Sequence, residues 1–107
     1  MRDFTGGTVQ VANDVIDVII ATTALRVDDV LAVKGFDHDK NRLTRSTKNS
    51  IKTGVQAGRL TTDLTISVEM NRPIVEIVEE VQAKVAEQVE SMLGITCDEV
   101  NVTVAAR

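Results

Sequence analysis

The sequence predicts an α+β domain of two layers. Two amphipathic helices pack on one face of a mixed four- to five-stranded sheet, in the order β-α-β-β-β-α-β. Three observations carry this. Leu60–Met70 alternates apolar and polar residues without a break. The stretch after Pro73 repeats apolar residues at helical spacing and ends at Gly94. Upstream, a first helical pattern lies between short apolar runs. With 107 residues, 43% hydrophobic and 26% charged, the chain is sized for one domain, residues 1–107, with a basic loop and hairpin at 40–59.

Gly6-Gly7 interrupts regular structure, and Thr8-Val9-Gln10-Val11 alternates like a short strand. Asn13 can cap a helix whose first turn carries Asp14 and Asp17, matched to the positive end of its dipole. Val15, Ile16, Ile19, Ile20 and Ala24 recur at helical spacing and take this helix to about Arg26. Its β-branched residues lower intrinsic helicity, so packing must hold it. Asp28-Asp29 ends the pattern, and Val30–Val33 reads as a buried strand stopped by Gly35. Residues 36–50 have no clear period and read as a loop, with a short helical turn near Leu43–Lys48.

Ser50–Gln56 and Leu60–Met70 form two strands joined through Ala57-Gly58-Arg59. Leu60, Thr62, Leu64, Ile66, Val68 and Met70 share one face of the second strand. That face is covered and the other is wet. Asn71 is placed to cap the long helix, and Pro73 sits in its first turn, where a missing N–H costs nothing. Ile74, Ile77, Val78, Val81, Val85, Val89, Met92 and Leu93 form its apolar stripe, and Gly94 supplies a left-handed stop. Val100, Val102 and Val104 then alternate with polar residues in a last strand.

Charge is distributed unevenly. Residues 40–59 hold Lys40, Arg42, Arg45, Lys48, Lys52 and Arg59 and no acid, a charge of +6. The rest of the chain holds six bases and sixteen acids, or −10, which gives the net −4. The long helix carries Glu76, Glu79, Glu80, Glu87 and Glu90 against Lys84. These eleven residues, six basic and five acidic, are the candidate interaction residues. The basic segment suits a phosphate backbone, an anionic lipid or an acidic protein surface. Aromatics make up 2% of the chain, so the sheet offers no base-stacking platform and nucleic acid is a poor fit.

No catalytic, cofactor-binding or metal-ligating constellation emerges. Asp37-His38-Asp39 is the one acidic cluster with a histidine, and it lacks the spacing of paired ligands on a defined element. No Gly-rich phosphate cradle or nucleophile elbow is present. The single cysteine, Cys97, excludes an intrachain disulfide and fits a reducing compartment. The opening residues lack the apolar core of a signal peptide, and the longest apolar stretch, Val15–Ala21, contains Asp17. A cytoplasmic protein is expected, reaching the membrane only peripherally and through a partner.

The run RPIVEIVEEVQAKVAEQVESMLGITCDEVNVTV resembles the C-terminal signature of the alkaline shock protein family, the envelope-stress proteins of Gram-positive bacteria. The matching positions are Pro73, Val81-Gln82, Val85, Val89-Glu90, Met92, Gly94 and Val100–Val104. Gly7–Val11, Val15-Ile16, Asp29-Val30 and the strand LTTDLTISVEM are similar as well, so the likeness spans nearly the whole chain. It departs from the family pattern at FDHDKNRLTRSTKNS, where relatives are Gly-rich, and at Glu69-Met70-Asn71. The resemblance implies a small non-enzymatic protein of the envelope or alkaline stress response. Such a protein needs no cofactor; it self-associates into a homo-oligomer or docks on a membrane-anchored protein partner. A second implied role is restraint of a fatty-acid synthesis enzyme, acetyl-CoA carboxylase. The third reading, drawn from charge, is phosphate binding by residues 40–59.

Overall fold

The computed structural model describes residues 13–37, 39–40, 42–43 and 51–105. The strand expected at Thr8–Val11 lies outside them, as does the helical turn expected near Leu43–Lys48 apart from Leu43, which is a strand residue. The described elements are α1 (Asn13–Leu25), β1 (Val30–Val33), β2 (Phe36–Asp37), β3 (Arg42–Leu43), β4 (Lys52–Gln56), β5 (Arg59–Val68), α2 (Ile74–Leu93) and β6 (Thr96–Val104).

β5 is the spine of the sheet because its alternation gives one buried face, apolar apart from Thr62, and ten residues on which to pair. Leu60, Thr62, Leu64, Ile66 and Val68 are all buried, while the alternate residues Arg59, Thr61 and Asp63 are exposed and Thr65 and Ser67 half-buried. β6 pairs along one side of β5 in parallel, from Arg59↔Thr96 to Ile66↔Val104. The other side is shared end to end by two antiparallel strands. β4 pairs with its first half and β1 with its last residues, Val30↔Val68 to Val33↔Ile66. Both helices cover the apolar face, and Ile16, Ile20, Leu60, Leu64, Ile77, Val81 and Val85 meet in one core. Fully burying each such side chain contributes roughly 1.5–3 kcal/mol before entropy.

Several details differ from the sequence reading for physical reasons. Residues 36–50 are not loop throughout, because β2 and β3 form a short antiparallel ladder, Phe36↔Leu43 and Asp37↔Arg42. Two paired residues per strand are too few to leave a period in the sequence. The β4–β5 turn is the two residues Ala57-Gly58, since Gln56 already pairs with Arg59. Both turn residues have positive φ, 54° and 75°, which matches the right-handed twist of a tight hairpin. β6 starts at Thr96, ahead of the Val100 alternation, with a bulge that leaves Asp98 without an opposite residue on β5. Met70 falls beyond the end of β5 and is 70% exposed.

On α1, Val15 is 52% exposed and Asp17 is buried, so the stripe is rotated from the one expected. Its polar β-branched residues are accommodated by back-bonding: the Thr22 and Thr23 hydroxyls donate to the Val18 and Ile19 carbonyls. On α2, Ile77, Val81, Val85 and Val89 are fully buried, whereas Ile74 and Met92 at the ends of the expected stripe are exposed. Gly94 adopts φ 69° and its N–H donates to the Glu90 carbonyl, the left-handed stop the sequence expects. Asn71 does not cap this helix. Pro73 occupies the cap position without a side-chain bond, and the Asn71 amide is used elsewhere.

Candidate functional site

The described part of the basic segment spans the turn between β2 and β3, β3 itself in its separate two-stranded ladder, β4 and the first residue of β5. Lys40 and Lys52 are exposed, and Arg42 stands in β3 opposite Asp37. Arg59 opens β5 and lies 3.4 Å from Asp98, both side chains largely in solvent. An ion pair this exposed holds little energy, so Arg59 remains available to a partner. Arg45 and Lys48 lie outside the described residues, as does His38. Beside His38, the Asp37 carboxylate accepts the N–H groups of Asp39 and Lys40 at 3.0 and 3.3 Å. That is a turn-stabilising arrangement. Among the described residues no three His, Cys, Asp or Glu side chains are grouped to hold a metal.

The five acids of α2 separate into two sets. Glu76, Glu79 and Glu87 are exposed along the outer face. Glu80 is half-buried and held by Arg72 at 2.7 Å, and Glu90 accepts the Cys97 N–H at 2.9 Å. Glu80 and Glu90 therefore work within the fold, and the first three are the acids free to face a partner. Cys97 is half-buried. Burial first, and then the charges of Glu90 and Asp98, push its thiol above the ordinary value, which makes it a poor nucleophile.

A second charged cluster escaped the sequence reading. Arg72 bridges the end of β5 and the start of α2, and its Nε donates to Asp29 Oδ2 at 3.0 Å. Its Nη2 donates to Glu80 and to the Asp28 carbonyl. Asn71 Nδ2 donates to the other Asp29 oxygen at 3.0 Å, and the Glu69 N–H to the Asp29 carbonyl at 2.8 Å. Asp29 itself has φ 75°, a left-handed conformation that Asp tolerates better than most residues. The Glu80 hydrogen bond, and then that of Asp29, raise the Arg72 pKa against an opposing effect of burial. More than forty residues separate Asp29 from Arg72, and no local spacing marks the pair. Asp28-Asp29 is the only signal that could have pointed to it.

The outer face of the sheet is polar. Lys52, Gln56, Arg59, Thr61, Asp63, Glu99, Asn101 and Thr103 are all exposed. An open cleft of about 520 Å³ at its hairpin end is bounded by Gly54, Gln56, Arg59, Thr61 and Asp98. Asn101 donates to Asp63 at 2.8 Å across the strands. Neither an aromatic side chain nor an unbroken positive surface is present on this face among the described residues. The model of the alkaline shock protein 23 family, described as having a cell envelope-related function, matches residues 2–106.

The chain belongs to the alkaline shock protein family.

That membership gives the domain a cell envelope-related function. No curated protein matches the chain. Among solved structures, a point variant of MamM CTD aligns at 20% identity and TM-score 0.62, over 89% of this chain and 98% of that chain. A triple variant of MamM CTD aligns at 20% identity and TM-score 0.62, over 89% and 95%. A cadmium form of another MamM CTD variant aligns at 18% identity and TM-score 0.63, over 90% and 99%. At these identities the likeness is one of fold. In the family member described here, no helix among the described residues is long and apolar enough to cross a membrane.

Proposed function

We propose that this alkaline shock family domain is a non-enzymatic interaction module of the cell envelope, one that self-associates or docks on a membrane-anchored protein. The observation that carries this reading is the separation of charge. Glu76, Glu79 and Glu87 line the exposed face of α2, while Lys52 and Arg59 stand exposed on β4 and β5 and Lys40 on the turn between β2 and β3. Two copies can bring these surfaces together head to tail, and an acidic or basic partner can use either one. Asp63 and Glu99 on the open sheet face count against nucleic-acid backbone as the ligand.

Light scattering across a salt series tests the reading. Association is expected at low salt and should weaken steeply as salt rises. Replacing Lys40, Lys52 and Arg59 with Ala should abolish the salt-sensitive part while leaving stability within about 0.5 kcal/mol. A monomer at low salt and high concentration would falsify self-association.

A further inference from the structure

β6 is an edge strand: among the described residues its only partner is β5. The ladder fixes which backbone groups look outward. Ala105 N–H donates to the Ile66 carbonyl, and the parallel register places Asn101, Thr103 and Ala105 with their N–H and C=O toward β5. Val100, Val102 and Val104 therefore direct theirs to the free edge. An uncovered row of this kind templates further strands, and proteins usually block it. α2 blocks half of it. Glu90 accepts the outward Cys97 N–H at 2.9 Å, and Gln82 Nε2 donates to the outward Val100 carbonyl at 3.0 Å. Beyond Val100 no side chain of α2 caps the edge, and among the described residues nothing covers the backbone groups of Val102 and Val104.

The helix flank beside this open stretch carries two valines, with the exposed Glu79 at its outer border. Val75, Val78 and Gln82 share one flank by helical spacing, and the Gln82 contact with Val100 shows that it looks toward the β6 edge. Val75 is 66% exposed, and Val78, Val102 and Val104 are half-buried. No charge interrupts residues 101–105, whereas the capped stretch carries Asp98 and Glu99.

We propose that the Val102–Val104 edge pairs antiparallel with the same edge of a second copy, joining two sheets across a two-fold axis at Thr103. This rests on the self-association reading above and adds a contact that is not electrostatic. The stretch is self-complementary in that register. Val102 of each copy exchanges both backbone bonds with Val104 of the other, and Thr103 faces Thr103 as a close, non-hydrogen-bonded pair. Asn101 faces Ala105, so like charges do not meet. The Val75–Val78 flanks lie on either side of the axis and cover one another.

Two variants of the full chain test it at high salt, where head-to-tail contacts are screened. Val102→Pro removes an N–H that faces the edge and none of the β5 ladder. It should weaken dimerisation at least about tenfold and leave the melting transition unchanged when both proteins are dilute enough to be monomeric. Thr103→Cys in a Cys97→Ser background should form an intermolecular disulfide under mild oxidation, since such pairs bring Cα atoms to about 4.5 Å. A salt-resistant dimer lost in Val102→Pro, together with that crosslink, is the expected result. Association that salt abolishes and Val102→Pro leaves untouched overturns this contact while sparing the proposed function. A monomer under every condition overturns both. A lowered melting transition in Val102→Pro, without a crosslink at 103, would mean that the chain covers its own edge, and would also overturn the proposal.

Discussion

The basic segment and the Arg72 cluster are both concentrations of charge, and they differ in what holds them. Residues 40–59 gather six like charges along the chain. Lys40, Lys52 and Arg59 are exposed, and Arg59 meets Asp98 at 3.4 Å in solvent. Arg72 is a single cation, yet its guanidinium contacts Asp29, Glu80 and the Asp28 carbonyl at once, and Asn71 completes the Asp29 carboxylate. Charge density along the sequence shows where a field is strong. It does not show where charge fastens the fold, because that depends on how many aligned partners a group finds.

The largest effect should come from breaking the fastened cluster. Asp29→Ala removes both carboxylate bonds and leaves an alanine at φ 75°, a conformation it adopts at a cost. Together these should destabilise the domain by about 2 kcal/mol, read as a lower urea midpoint with unchanged slope. Asp29→Asn should lose less, since Asn tolerates the same backbone. Arg72→Lys should also lower the midpoint, because an ammonium cannot present the planar fork that reaches Asp29 and Glu80 together. An Asp29→Ala protein as stable as wild type would reduce the cluster to a surface ornament.

Within the basic segment, the turn should matter more than the charges. Gly58 has φ 75°, and an added Cβ there meets nothing within 4 Å. Gly58→Ala therefore isolates backbone strain and should cost about 1–2 kcal/mol, toward the lower end at an exposed tip. If it were neutral by urea unfolding, the hairpin would contribute little to the fold, and the whole 40–59 region could be regarded as an appended surface.

The contrast also explains what could be seen in the sequence. β5, α2 and the Gly94 stop were legible because each is a local pattern: a period of 2, a period of 3.6, and a residue type suited to positive φ. The family followed from the same C-terminal stretch. Features built from distant residues were not legible. The Asp29–Arg72 contact joins segments with no shared period, and it draws Asn71 away from the cap role its position suggests. The β2–β3 ladder is two residues deep, below what alternation can reveal. Of the candidate interaction residues, Glu80 and Glu90 look identical in sequence to Glu79 and Glu87. Only the placement of Arg72 and of the Cys97 N–H separates them.

Cys97 offers the smallest effect and the finest probe of the comparison, because it lies in β6 next to the strand that Arg59 opens. If the positive field of residues 40–59 dominated this end of the sheet, the thiol would be pulled below its ordinary value. It is raised above 9.0 instead, by burial first and by Glu90 and Asp98 after it. The folded chain then keeps its thiol proton at pH values where the unfolded chain has lost it. Stability is accordingly full below pH 9 and declines as pH rises from there through the folded thiol's higher value. Cys97→Ser should flatten that decline in urea titrations between neutral and strongly alkaline pH. Alkylation of the native thiol near pH 8 should be slower than in the urea-unfolded chain. Faster alkylation in the native protein would mean that the basic segment reaches across β5 and controls the potential at β6.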